Sequence, residues 1–215
     1  MNSGFVKDNI DIILERLEDM HPEAACALDH GNSFQLLIAV VLSAQTTDVS
    51  VNKVTPALFE RYPDPQALSK ADPLDVQEMI RTIGLYKNKS ANVVKLSKML
   101  VEVYDGKVPD SFVELVKLPG VGRKTANVVL AEAFGVPRIA VDTHVFRVAT
   151  RIGLAKADTP DKVEEQLMRL LPEEKWILSH HLLIFHGRKI CHARKPDCEA
   201  CKLKGLCLFE MENKR

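Results

Sequence analysis

The sequence carries no excess of charge: Lys plus Arg number 29, Asp plus Glu number 29, and the formal net charge is zero. Bulk composition therefore excludes a uniformly basic surface, and any attraction to a polyanion must come from how the charges are distributed. Long apolar runs are absent as well. The most apolar stretch, 36–42, is far too short to span a bilayer, and residues 1–8 hold no cationic segment leading into an apolar one. A membrane-spanning protein and an exported one are both disfavoured, which leaves a cytoplasmic protein as the expectation. No turn signal joins two alternating apolar runs, no segment recurs at a fixed period, and no low-complexity tract is present. Sheet-built and solenoid architectures drop out. Cysteine is scarce, with five in the chain, and without an export signal disulfides explain them poorly.

What is present is helical pattern. A chain of 215 residues that is 46% hydrophobic can bury a substantial core in one domain or two small ones, and composition marks no boundary. Val6, Ile10, Ile13, Leu14, Leu17 and Met20 share one helical face until His21-Pro22 ends it. Asp64-Pro65, Asp72-Pro73 and Thr159-Pro160 each set a capping side chain before a proline at the first helical position, where its missing N–H costs nothing. Ser111 to Glu114 reads as a capping box. Further helices fit 34–44, 49–61, 76–82, 91–104, 125–134, 143–152, 162–171 and 176–186, so the fold class is all-α. Only 138–141 could be a strand, and it is too brief to build a sheet.

Charge is unevenly spread. Arg81, Lys87, Lys89, Lys95 and Lys98 occur with no acid among them, and Arg188, Lys189, Arg194, Lys195, Lys202 and Lys204 face only Asp197 and Glu199 in their stretch. The acids concentrate over 158–174, which suggests one basic face. Ordinary solvated helix faces would give the same pattern.

The most informative segment is Leu118-Pro119-Gly120-Val121-Gly122-Arg123-Lys124-Thr125, between two helices. Gly120 can take a positive φ in a tight turn, and Gly122 lets backbone approach a ligand. The helix that follows opens with free N–H groups, a ready anion site to which Arg123 and Lys124 add charge. Leu118 and Val121 supply apolar anchors for the turn. A lysine at a helix opening is electrostatically odd, because the positive end of the dipole disfavours an ammonium ion. Partial desolvation and neighbouring Arg123 would act in the same direction and favour the free amine, a nucleophile. Asp142 follows an apolar run and opens another helix. It reads as an N-cap, and a capping carboxylate is held in one orientation while still able to face a ligand.

Cys191, Cys198, Cys201 and Cys207 give the spacing C-x6-C-x2-C-x5-C, and four thiolates so close demand a metal. Spacing alone admits structural zinc or a four-iron cluster. Cys26 stands apart and reads as a buried, inert thiol.

The hairpin segment resembles the helix-hairpin-helix motif of DNA repair glycosylases, whose turn grips the phosphate backbone without reading sequence. Combined with Val141-Asp142-Thr143-His144 and the cysteine spacing, it is similar to the endonuclease III family. Leu42-Ser43-Ala44-Gln45-Thr46-Thr47-Asp48-Val49 and Ile83-Gly84-Leu85-Tyr86-Lys87-Asn88-Lys89 also match that family. The resemblance runs from Phe34 through Cys207. It implies two helical domains with a cleft between them: a helical barrel over 24–137, and a [4Fe–4S] domain of 1–23 plus 138–215. It further implies Lys124 and Asp142 as catalytic residues, with Cys191, Cys198, Cys201 and Cys207 holding a [4Fe–4S] cluster. DNA contacts would fall to Gly120, Val121, Gly122, Arg123, Thr125, His144, Arg194 and Lys195, with Gln45 filling the hole left by a flipped base and Leu85 wedging the opposite strand. The implied activity is a bifunctional glycosylase/AP lyase acting as a monomer on oxidised pyrimidines in damaged double-stranded DNA, in a bacterial, nucleoid-associated setting.

Two rivals stay open. Mismatch glycosylases of the adenine branch carry a glutamate near the position of Val41 and a further C-terminal domain, neither seen here, while the thymine branch lacks the hairpin lysine. A DNA-binding module without chemistry would have no use for Lys124 and Asp142 together.

Overall fold

In a computed structural model that describes residues 3–213, every regular element is helical among those residues. The chain opens with α1 (Ser3–Asp8) and α2 (Ile10–Met20). It continues through α3 (Ser33–Ser43), α4 (Asp48–Arg61), α5 (Pro65–Ser69), α6 (Pro73–Met79), α7 (Tyr86–Tyr104), α8 (Phe112–Leu115) and α9 (Arg123–Phe134). Then come α10 (Thr143–Ile152), α11 (Pro160–Leu170), α12 (Trp176–Lys189) and α13 (Leu208–Asn213). Local chemistry sets many of the starts. Asp64, Asp72 and Thr159 accept from Ala67, Leu74 and Lys162 amides, each with a proline just inside the helix.

Residues divide into two compact units, Ala27–Val136 and the combination of Met1–Cys26 with Pro137–Arg215. In the unit of Ala27–Val136, every side chain from Leu36 to Leu42 is buried, so α3 is apolar all round and forms the centre. Helices α4, α7 and α9 pack against it, and α5 lies along α7. Side chains such as Leu37 and Leu96 are fully buried, each worth roughly 1.5–3 kcal/mol of apolar transfer.

In the other unit, α12 packs against α2 and α10. Ile13 and Leu17 of α2, Val145 and Ile152 of α10, and Leu182 of α12 build one core. Arg16 of α2 donates to the Lys202 carbonyl at 2.8 Å and so ties the first helix to the cysteine loop. No helix among the described residues is long and apolar enough to cross a membrane.

Several expectations are corrected. The first apolar face is split at Asn9, which caps α2 by position while its side chain bonds back to the Phe5 carbonyl. Ser111 makes no capping hydrogen bond, and the Glu114 carboxylate, instead of reaching back to it, accepts from the Tyr104 hydroxyl and the Lys117 ammonium. The stretch 138–141 is not a strand: Ile139, Ala140 and Val141 are buried as irregular chain leading into α10. Helix α7 starts at Tyr86 rather than 91 because its first turn buries polar Lys89 and Ser90, which apolar periodicity does not mark. Cys26 is half-buried rather than buried.

Candidate functional site

Helices α8 and α9 form the two arms of the hairpin. Leu118 and Val121 are buried beneath the turn, and the Val121 amide donates to the Leu118 carbonyl at 3.0 Å. Gly120 needs its lack of a side chain twice over. Its φ is +81°, and a Cβ there would lie 3.2 Å from Asn92 and 3.3 Å from Val41. Gly122 differs, having φ −96° and open space where a Cβ would point, and it stands at the N-cap of α9 with no side-chain cap. The first turn of α9 is therefore an uncapped amide end, the arrangement that receives anions. Arg123 lies over the Phe112 ring at 5.4 Å, and Thr125 is half-buried. Lys124 is exposed, which corrects the expected partial desolvation.

Gln45 and Leu85, also in the unit of Ala27–Val136, share an unusual backbone. Both are exposed and both sit in the left-handed region, at φ 54° and φ 58°. A non-glycine residue there costs roughly 1–2 kcal/mol, so neither tip is a relaxed loop. They lie in touching loops: a Cβ on Gly84 would be 3.6 Å from the Gln45 carbonyl oxygen. Between them Lys89 Nζ donates to Thr46 Oγ1 at 2.7 Å. Lys89 is only 4% exposed, and burial pulls its pKa down, so its expected place in a basic face is corrected.

In the other unit Asp142 caps α10. Both bonds fall on Oδ1, from the His144 and Val145 amides at 2.8 Å each. Among the described residues no hydrogen bond is made to Oδ2. His144 is half-buried, its pKa lowered chiefly by burial, and it packs so closely on Gly187 of α12 that a Cβ there would meet it at 3.0 Å. Arg147, one turn on, donates to the Gly187 carbonyl at 2.9 Å and the Cys191 carbonyl at 3.1 Å. The helix bearing Asp142 is thus bonded directly to the start of the cysteine loop.

Cys191, Cys198, Cys201 and Cys207 line one cavity together with Ile152 and Leu203. Burial pushes the Cys201 thiol up to about 11 and raises Cys198 and Cys207 as well, with the other cysteines adding to each shift. Sulfurs that raise one another's pKa in an apolar cavity suit a cationic, thiophilic guest. Arg151 holds the loop by donating to the carbonyls of His192 at 2.6 Å and Ala193 at 3.0 Å.

Three lysines of the second basic stretch are paired with acids. Lys189 pairs with Glu23, Lys202 with Asp19, and Lys204 with Glu199, partners too distant in sequence or too ordinary to be foreseen. Arg194 and Lys195 are exposed on the cysteine loop, Lys195 with φ 51°.

Residues 38–173 match the HhH-GPD superfamily of base excision DNA repair proteins, and 191–207 match the iron-sulfur binding domain of endonuclease III. Endonuclease III of Bacillus subtilis (strain 168) is 52% identical over 199 residues, covering 92% of this chain and 91% of that one. The chain belongs to the endonuclease III family. Endonuclease III of Escherichia coli (strain K12) is 47% identical over 198 residues, covering 92% of this chain and 94% of its own. A trapped endonuclease III–DNA covalent intermediate superposes with a TM-score of 0.92 at 50% identity, covering 97% of this chain and 99% of that one. A thermostable thymine-DNA glycosylase, at 23% identity and a TM-score of 0.81, shares the fold. As an endonuclease III family member the chain is a base excision repair enzyme, a DNA glycosylase with AP lyase activity that carries a [4Fe–4S] cluster, and DNA is its partner.

Proposed function

We propose that this enzyme removes oxidised pyrimidines from damaged double-stranded DNA as a monomer, with Lys124 as nucleophile and Asp142 as its carboxylate. The observation that carries the reading is Lys124 standing exposed at the uncapped opening of α9, beside the hairpin turn. The trapped covalent endonuclease III–DNA intermediate at 50% identity supports covalent chemistry in this family.

The damaged nucleotide leaves the stack, which costs less for a base that pairs poorly. The Lys124 amine attacks the sugar's C1′ as the C1′–N bond breaks, and the base departs with that electron pair, taking a proton from water. Asp142, held by its Oδ1 cap and presenting Oδ2, stabilises the positive charge on the sugar and accepts the proton shed by the attacking amine. Ring opening leaves an imine to Lys124. Loss of a C2′ proton then expels the 3′ phosphate by β-elimination, and water hydrolyses the imine to free the lysine.

Gly120, Val121, Gly122, Arg123 and Thr125 hold the phosphate at the uncapped amides of α9, while Gln45 and Leu85 enter the duplex from their left-handed tips. His144, Arg194 and Lys195 add contacts from the other unit. Cys191, Cys198, Cys201 and Cys207 would hold the [4Fe–4S] cluster, which supplies a cross-link for a loop with little core of its own. We assign the barrel to 24–137 and the cluster domain to 1–23 plus 138–215, and place the enzyme in a bacterial cytoplasm at the nucleoid.

Incubation with a duplex bearing one thymine glycol and with a duplex bearing one abasic site tests the reading. The wild-type chain nicks both and is captured covalently by borohydride; Lys124→Gln is not captured. Undiminished capture of Lys124→Gln removes Lys124 from its role. Binding without a nick by the wild-type chain would leave only a DNA-binding module.

A further inference from the structure

A lysine in the first turn of a helix opposes the helix dipole, and a buried one also loses its hydration. Lys89 of α7 does both, at 4% exposure, and no carboxylate among the described residues pairs with it. Its Nζ has one hydrogen-bonded side chain, Thr46, whose Oγ1 accepts from it at 2.7 Å. Its backbone amide donates to the Leu85 carbonyl at 3.0 Å. Lys89 thus touches both strained loops: its side chain bonds Thr46, the residue after Gln45, and its backbone amide makes the first helical bond back to Leu85. The loops also touch at Gly84, where a Cβ would lie 3.7 Å from the same Thr46 oxygen.

A left-handed non-glycine residue persists only where its surroundings hold it. Here Gln45 and Leu85 are linked through one residue, Lys89, whose buried side chain bonds Thr46, next to Gln45, and whose backbone amide bonds Leu85. We propose that Lys89 is a positioning residue which, through its bond to Thr46, holds the Gln45 and Leu85 tips in the conformation that enters the duplex. This rests on the reading that Gln45 and Leu85 insert into DNA. Because the tips are set before DNA arrives, the ordering cost is not charged to binding.

The test uses the full chain with its cluster and a duplex carrying one tetrahydrofuran abasic analogue opposite 2-aminopurine, whose fluorescence rises when it is unstacked. Wild-type binding should give the rise, and Leu85→Ala should lose it; a wild-type chain without the rise, or a Leu85→Ala chain that keeps it, sinks the insertion reading itself. Lys89→Met and Thr46→Val should each lose most of the rise and weaken binding about tenfold, and the double variant should be no worse than either, since both remove one bond. Thr46→Val leaves the lysine in place and keeps the β-branch, so it reports even should Lys89→Met fold poorly. If Leu85→Ala abolishes the rise while Thr46→Val retains wild-type fluorescence and affinity, or if the two losses add, Lys89 does not position the tips.

Discussion

Asp142 and Val145 are joined through a single carboxylate oxygen, Oδ1, which also takes the His144 amide, both at 2.8 Å. One oxygen serves as the cap, and the proposed chemistry falls to the other. The two roles separate by substitution. Asparagine caps a helix about as well as aspartate, so Asp142→Asn should unfold in urea within about 0.5 kcal/mol of wild type while losing roughly 100-fold or more in single-turnover excision. Asp142→Ala should lose the activity and also about 1 kcal/mol of stability. Equal activity in Asp142→Asn and wild type would reduce Asp142 to a cap.

The two hairpin glycines should fail differently. Gly120→Ala forces a Cβ to 3.2 Å from Asn92 at a φ of +81°, and should lower stability by roughly 1–3 kcal/mol. Gly122→Ala meets nothing within 4 Å at an ordinary φ, so the melting temperature should hold. A methyl at the mouth of the amide end still stands where a phosphate would come, and DNA affinity should drop. A Gly122→Ala chain that binds duplex as tightly as wild type would show that the phosphate does not seat there.

These contrasts mark what could be read from residues alone. The proline-led starts at Asp64, Asp72 and Thr159 were legible because capping is local, within three residues of chain. The apolar run of α3, the hairpin and the cysteine spacing were legible for the same reason. Lys89 was hidden, since nothing in a basic run says which lysine turns inward. The left-handed φ of Gln45 and Leu85 was equally hidden, because glycine is the usual signal for that conformation and neither is glycine. The pairing of Lys202 with Asp19 and the reach of Arg147 to Cys191 depend on tertiary packing across long stretches of sequence.

Arg151 grips the cysteine loop with two bonds to successive carbonyls and lies over the Phe209 ring at 4.6 Å. A lysine cannot reproduce that planar fork. Arg151→Lys should therefore fold but release iron faster, seen as quicker decay of visible absorption under air or chelator. Decay at the wild-type rate would show that the cysteines alone secure the loop.

Lys89 also predicts a pH signature of stability. Burial holds the folded pKa below its ordinary value of 10.5. Between those two values the unfolded chain binds the extra proton, so stability rises with pH across that window, and below the folded pKa the full cost of burying the charge is present. Lys89→Met lacks that rise. The unfolding free energy of wild type minus that of Lys89→Met should grow more positive as pH rises toward 10.5, measured by urea unfolding at fixed ionic strength. Other lysines and tyrosines titrate in both chains and cancel in the difference. A flat difference would mean that Lys89 keeps its ordinary affinity for the proton despite its burial.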